Sequence, residues 1–206
     1  AVVGLGGTGV GGFLHERTKS LGPPDSEEIK TQKDIWPNPY PWASDAQYAN
    51  ALGELLEKSL SLSSAGEGVD GQIILLTHTG PHSSATSALN INATHVVYGG
   101  SPGQTSAILK HFGARDVNNT HEVLPRLLCN LHGHVHHGVG IDSAALPNQI
   151  KVINPGSLDL GSYAELVFSK KTVIGKRTSR NADKNKYYKQ QWFLTETTLK
   201  KLVDDV

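Results

Sequence analysis

The sequence Ile-Ile-Leu-Leu-Thr-His-Thr-Gly-Pro, at positions 73–81, joins an unbroken apolar run to a polar turn. Two later segments repeat this arrangement. Leu-Leu-Cys at 127–129 leads to His-Gly-His at 132–134, and Val-Ile at 152–153 leads to Asn-Pro-Gly-Ser at 154–157. Short apolar runs of this kind are typical of buried strands. A strand is rigid and the turn after it is free to present side chains, so we expect a functional site where these strands end.

Helical patterns lie around these strands. From Asp45, apolar residues recur at i, i+4, i+7 and i+8, which predicts an amphipathic helix, and Ser44 with Gln47 forms a capping box for its first turn. The apolar stripe consists of Tyr48, Leu52, Leu55 and Leu56. A second, short helix is expected over 105–112, before a glycine. Together with a strand at 1–5, the pattern indicates an α/β fold of layered type.

The C-terminal region is basic. Strands are predicted at 163–168 and 192–196, and a final helix at 198–202. Between Lys170 and Lys189 the sequence has eight Lys and Arg residues against a single acid, Asp183. No aromatic or glycine pattern of a known nucleic-acid reader accompanies them. We therefore interpret this stretch as a solvated loop and do not expect nucleic acid as a partner.

The composition is that of an ordinary globular protein, with 37% hydrophobic and 18% charged residues. Lys plus Arg and Asp plus Glu are both 19, so the chain as a whole has no net field to attract a polyanion or a membrane. No apolar run approaches the roughly 20 residues that span a bilayer, so no membrane partner is expected. The single cysteine, Cys129, excludes an internal disulfide and predicts a cytoplasmic location.

Three histidines stand at the predicted strand ends: His78, His134 and His136. In an extended backbone His134 and His136 would lie on the same face, because side chains alternate along a strand. Neutral imidazole is a common ligand of zinc, iron and manganese. The histidines from two strand ends therefore suggest one shared metal site.

The three segments at 73–81, 131–136 and 152–158, in this order and spacing, resemble the last three signature blocks of calcineurin-like metallophosphoesterases. The opening residues 2–7 are similar to a strand of the smaller members of that family. The resemblance implies a four-layered α/β/β/α sandwich and a hydrolase of phosphoesters, a phosphodiesterase or a phosphatase. It also implies two divalent metal ions, Mn, Zn or Fe, with His78 and His134 on one ion and His136 on the other.

The family's remaining blocks, Asp-x-His, Gly-Asp-x-x-Asp and Gly-Asn-His-Asp, do not occur in this sequence. They supply the carboxylates that hold the metals, so the resemblance implies that 1–206 is the C-terminal portion of a single domain. Its partner would be the N-terminal half of the same domain. The start at Ala1 within a predicted strand, with no methionine in the chain, favours the same reading. The isolated chain is then expected to be inactive.

Further histidines and one serine lie beside the three blocks. His82 and Ser157 are candidates for contact with the phosphoester substrate, beside an ordinary role in turns. His132 and His137 flank the candidate ligands, and we interpret them as residues that support the ligands or lie on the surface.

Two alternative functions remain open on the sequence. The glycine-rich turn Gly4 to Gly12 resembles that of a nucleotide-binding domain, in which backbone amides cradle phosphate. No apolar strand leads to an acidic residue about 20 positions later, as such a domain requires. The other alternative is a non-enzymatic interaction protein on the metallophosphoesterase scaffold, although such proteins tend to lose the metal ligands.

Overall fold

A computed structural model describes residues 2–5, 44–64, 72–82, 84–92, 95–113, 126–176 and 186–202 of the chain. Three single-turn 3-10 helices lie within these ranges, at Ala85–Ser87, Pro147–Gln149 and Leu158–Leu160. The longer elements, in chain order, are β1 (Val2–Leu5), α1 (Asp45–Ser64), β2 (Ile73–Thr77), β3 (Ala88–Asn92), β4 (His95–Tyr98), α2 (Pro102–Phe112), β5 (Leu127–Leu131), β6 (Gly140–Asp142), β7 (Lys151–Asn154), β8 (Ser162–Lys176) and β9 (Lys186–Lys201).

The predicted α/β fold is confirmed as a mixed sheet with helices. Five strands form the sheet in the order β1-β2-β5-β7-β6. The first four are parallel to one another and β6 is antiparallel. The three apolar runs that the sequence marks as strands are β2, β5 and β7, side by side in the sheet. Because they are parallel, the turns that follow them leave from the same edge.

The two long helices pack together with one face of the sheet in the core. Tyr48, Leu52 and Leu56 of α1 are fully buried with Ile108 of α2, as the apolar stripe predicts. The Ser44 cap is present, since its Oγ accepts the N–H of Gln47 at 3.1 Å. No helix within the described ranges is long and apolar enough to cross a membrane.

Helix α2 begins three residues before the predicted start at Thr105. Ser101 is its N-cap, with Oγ accepting the N–H of Gln104 at 3.1 Å, and Pro102 follows in the first turn. Proline suits that position because its missing N–H would have no partner in the helix. The cap and the proline were the signal for the earlier start.

A short antiparallel hairpin, β3 with β4, lies between β2 and α2. No element was predicted there. The period-two alternation of Leu-Asn-Ile-Asn at 89–92 was the available signal. An alternation over only four residues is a weak signal for a strand. The hairpin forms because β3 and β4 pair with each other.

The C-terminal prediction is wrong in two respects. β8 and β9 form an antiparallel ribbon whose pairing runs from Ser162 opposite Lys201 to Lys176 opposite Lys186, so most of the predicted basic loop is strand. The predicted helix at 198–202 is the end of β9, where Thr198 pairs with Glu165. Cross-strand pairing of β-branched residues outweighs the short helical pattern. Residues 177–185 of the basic stretch lie outside the described residues.

Candidate metal centre

His78 and His134 come into contact at the edge where β2 and β5 end. Nδ1 of His134 lies 3.1 Å from Nε2 of His78, and the ring centroids are 5.0 Å apart. The backbone ties the two turns together, because the N–H of Gly133 donates to the carbonyl of His78 at 3.0 Å. Two nitrogens bound to one ion at about 2.0–2.1 Å, at angles between a right angle and a tetrahedral one, are about 3 Å apart. The spacing therefore fits two ligands of a single ion.

The backbone of His134 is strained. Its φ is 63°, in the left-handed region that side chains rarely adopt. The N–H of Val135 donates to the carbonyl of Gly133 at 2.8 Å, which closes a three-residue turn with His134 at its centre. Such strain costs on the order of 1–3 kcal/mol and clusters at functional sites. Among the described residues, the buried Nε2 of His134 has no hydrogen-bond partner.

The electrostatic surroundings keep both rings neutral at neutral pH. Burial, and then the nearby His136, lowers the pKa of His78. Burial, then His78 and His136, lowers the pKa of His134 to about 4. A neutral imidazole offers a lone pair to a metal, whereas a protonated one does not. His136 is exposed and close enough to act on both charges, but the structure records no contact between its ring and theirs.

Two imidazoles do not complete a metal shell. Within the ranges that the structure describes, no group of three or more His, Cys, Asp or Glu side chains is placed to hold a metal ion. Structural and catalytic zinc sites use three or four protein ligands. The two rings thus fit one side of a metal site, and a complete site would need further, negatively charged ligands.

The buried ring of His132 supports the turn that carries His134. It is 3% exposed, with Nδ1 3.0 Å from the carbonyl of Gly133 and Nε2 2.8 Å from Oγ1 of Thr86. A carbonyl only accepts, so Nδ1 carries the proton in that hydrogen bond and Nε2 of the neutral ring accepts from the Thr86 hydroxyl. Burial lowers the pKa of His132 to about 4. His137, by contrast, is exposed.

Asn154, at the end of β7, is the supporting residue that the sequence did not single out. It is fully buried, and its Nδ2 donates to the carbonyls of Val135 at 2.8 Å and Thr86 at 3.0 Å. Its Oδ1 accepts the N–H of Gly156 at 2.9 Å. One side chain thus joins the turn after β5, the 3-10 helix Ala85–Ser87 and the turn after β7. An asparagine directly after an apolar run was the available signal, since a buried amide needs several partners.

A second buried network lies at the ends of β2 and β5. Nε2 of Gln104 donates to Oδ1 of Asn130 at 2.9 Å and to Oγ1 of Thr77 at 3.1 Å. Nδ2 of Asn130 in turn donates to Oγ1 of Thr77 at 3.0 Å. Thr77 directly precedes His78, so this network holds the strand end from which His78 projects.

His82 and Ser157, the candidates for substrate contact, have turn roles in the structure. The N–H of His82 donates to Oγ1 of Thr105 at 2.8 Å, and its exposed ring lies against Tyr98 with centroids 5.9 Å apart. The carbonyl of Ser157 accepts the N–H of Ser162 at 3.0 Å. The structure describes only the start of the glycine-rich turn Gly4 to Gly12, the alternative site for a nucleotide phosphate. Gly4 is part of β1, and residues 6–12 lie outside the described part of the chain.

The two histidines whose pKa is lowered to about 4, His132 and His134, predict how stability depends on pH. Histidines in the unfolded chain take up protons near pH 6.5, whereas His132 and His134 stay neutral in the fold down to a pKa of about 4. The unfolded state therefore binds more protons between these values, and the free energy of unfolding falls as the pH is lowered through this range. Urea unfolding at several pH values measures the slope.

His132→Asn is the variant that isolates this effect. It lowers stability at every pH, but it also removes one titrating group, so the slope between pH 6.5 and 4 is expected to decrease by up to about 1.4 kcal/mol per pH unit. His137→Asn, at an exposed position, is the control and is expected to keep the parental slope. An unchanged slope in His132→Asn would contradict the prediction.

Comparisons of the chain with protein-family models, with curated proteins and with solved structures give no significant match.

Proposed function

We propose that this chain supplies the histidine side of a two-metal site that hydrolyses phosphoesters, as the resemblance to calcineurin-like metallophosphoesterases implies. His78 and His134 bind one divalent ion and His136 the other, with Mn, Zn or Fe as the metals. The carboxylate ligands come from an N-terminal half of the same domain. The substrate is a phosphodiester or a phosphomonoester.

One observation carries this proposal: the contact between Nδ1 of His134 and Nε2 of His78 at 3.1 Å. Two features of the site support it. Burial lowers the pKa of both rings, and the His134 backbone is strained with a φ of 63°. Backbone strain of this kind clusters at functional sites.

The residues of the chain would act by position and by charge. When bound, two divalent ions clamp the phosphoryl oxygens and lower the pKa of a bound water. The imidazoles of His78, His134 and His136 would hold these ions without adding negative charge that repels phosphate. His132, through Gly133, and Asn154, through Val135, would keep His134 in its turn, so the ligands are oriented before any ion arrives.

We propose that the five-stranded sheet is one of two facing sheets in a four-layered α/β/β/α sandwich. Val3 and Leu75, which are register partners, face the helices and are buried, whereas Val2 and Leu76 on the other face are 70% and 49% exposed. Parallel sheets are normally covered on both faces. The exposed apolar face supports a second layer, contributed by the N-terminal half.

Zinc titration of the chain by calorimetry, near pH 7, tests the metal site. We expect weak binding of Zn²⁺ that His78→Ala and His134→Ala each abolish, because either change leaves a single ligand at the ion. His137→Ala is the matched control, since it removes an exposed histidine from the same turn. Zn²⁺ binding that survives His78→Ala and His134→Ala, or that His137→Ala weakens equally, would contradict the proposal.

A non-enzymatic interaction protein on the same scaffold is the second candidate. The observation in its favour is that, in the described part of the chain, no carboxylate or cysteine joins the two histidines to complete a site. It predicts that the chain joined to its N-terminal half binds no pair of metal ions. Two bound ions per molecule in metal analysis of that protein would exclude it.

A further inference from the structure

The neutral net charge of the chain conceals a strong separation of charge. Residues 162–201, which form the β8–β9 ribbon and its connection, have ten Lys and Arg residues against three Asp and Glu. The remaining residues therefore have nine Lys and Arg against sixteen Asp and Glu. The ribbon segment thus carries a formal charge of +7 and the rest of the chain −7. Charge asymmetry of this kind indicates a polyanionic partner for the basic part.

The ribbon also presents aromatic rings beside this charge. Tyr188 is 70% exposed and Trp192 is 47% exposed, both on β9. They are four residues apart on one strand, so both lie on the same face, about 13 Å from each other. Lys170 is the cross-strand partner of Trp192 and is exposed as well. The face thus combines two aromatic rings on β9 with a cation on β8, directly opposite Trp192.

The ribbon is attached to the main sheet by its backbone at Trp192. Nε2 of Gln72 donates to the carbonyl of Trp192 at 2.8 Å, and the N–H of Trp192 donates to Oε1 of Gln72 at 2.6 Å. On the opposite face, the ammonium of Lys171 lies 5.5 Å from the centroid of the Phe193 ring. These two hydrogen bonds fix the backbone that carries the Trp192 indole.

We infer that the face of the ribbon with Tyr188, Trp192 and Lys170 binds single-stranded nucleic acid. Bases stack on exposed aromatic rings whatever their sequence, and lysines track the phosphates. An anionic membrane is a poorer fit, because a face that inserts into lipid needs continuous apolar surface. Between the two rings stands the exposed Gln190, whose Nε2 donates to Oγ1 of Thr172 at 2.7 Å. From the sequence alone, the basic stretch was interpreted as a solvated loop and no nucleic-acid partner was expected. The exposed rings of β9 favour the opposite.

Binding is tested on the 206-residue chain with a fluorescent oligothymidylate, measured by anisotropy in the presence of EDTA. The chelator makes the result independent of the metal site, so a failure here is distinct from a failure of the proposed hydrolase. We expect Tyr188→Ala and Trp192→Ala each to weaken binding by about 5- to 150-fold, the range for loss of one stacked base. Lys170→Gln is expected to reduce the slope of log K against log salt by about 0.7.

Val167→Ser is the matched control, because Val167 is an exposed apolar residue on the other face of the same ribbon. It is expected to bind the oligonucleotide like the parent chain. Since Tyr188 is largely exposed, its replacement leaves the fold intact, which circular dichroism verifies. Three results would each overturn the inference. They are tighter binding to phosphatidylserine vesicles than to the oligonucleotide, oligonucleotide binding that neither aromatic substitution weakens, and no binding to the oligonucleotide.

Discussion

Supplied with Mn²⁺, the 206-residue chain is expected to hydrolyse an activated phosphodiester no faster than its His134→Ala variant. The reason is the number of ligands: two imidazole nitrogens meet at 3.1 Å, and the described residues add no third group to them. Without carboxylates the positive charge of two metal ions would not be balanced. Activating a water and holding the phosphoryl oxygens would both require the two metal ions. Release of nitrophenolate from bis(p-nitrophenyl) phosphate measures the rate.

The same substitution is expected to have a large effect once the proposed carboxylate-bearing N-terminal half is present. In a protein that joins both halves, His134→Ala should lower turnover by more than about 100-fold. Replacing a residue that only hydrogen-bonds to a metal ligand already lowers metal affinity or activity by about 10- to 100-fold. His137→Ala is the control and should retain activity. Metal-dependent turnover by the 206-residue chain alone, lost on His134→Ala, would show that acidic residues within this sequence complete the site.

Gly80→Ala is expected to destabilise the protein by about 1–3 kcal/mol. A Cβ at Gly80 would lie 2.3 Å from Oγ of Ser87 and 2.5 Å from Nε2 of His132. His132 cannot move aside without breaking its hydrogen bonds to Thr86 and to the carbonyl of Gly133. The substitution therefore disturbs the support of His134 as well as the packing. Urea unfolding followed by tryptophan fluorescence measures the loss, and the weak zinc affinity should fall with it.

Gly133→Ala is the matched control beside the same site. The nearest atom to its Cβ would be the carbonyl oxygen of His78 at 4.0 Å, and its φ is not in the left-handed region. Alanine is therefore expected to change stability by less than about 0.5 kcal/mol, or to raise it slightly by restricting the unfolded chain. Equal destabilisation by the two substitutions would mean that the close contact around Gly80 is not the cause.

The central strands and the meeting of His78 with His134 were predictable from the sequence. Strands β2, β5 and β7 each contain a short apolar run that can be read locally, and their residues that face the helices are buried. Parallel neighbours end at one edge, which brings the turn after β2 close to the turn after β5. The positions of these histidines therefore followed from their place after apolar runs, without knowledge of the whole fold. Their role as metal ligands stays a prediction.

The C-terminal ribbon was decided by tertiary structure. Each of its strands is polar along much of its length, and neither has a local pattern strong enough to mark its ends. The pairing of Ser162 with Lys201 joins residues far apart in the chain, so the length of the ribbon depends on contacts that no local window contains. The common face of Tyr188 and Trp192 appears only once that pairing extends β9 through both residues.

The sequence alone determined which strands are buried in the sheet and which histidines stand at their ends, because apolar burial leaves a pattern in neighbouring residues. Tertiary structure decided how His134 is held. Its left-handed backbone, the hydrogen bond of His132 to Thr86 and the position of Asn154 beneath the turns all depend on groups from separate elements. A buried polar group is satisfied by whichever partner the fold brings within reach, and that partner cannot be read from its neighbours in the chain.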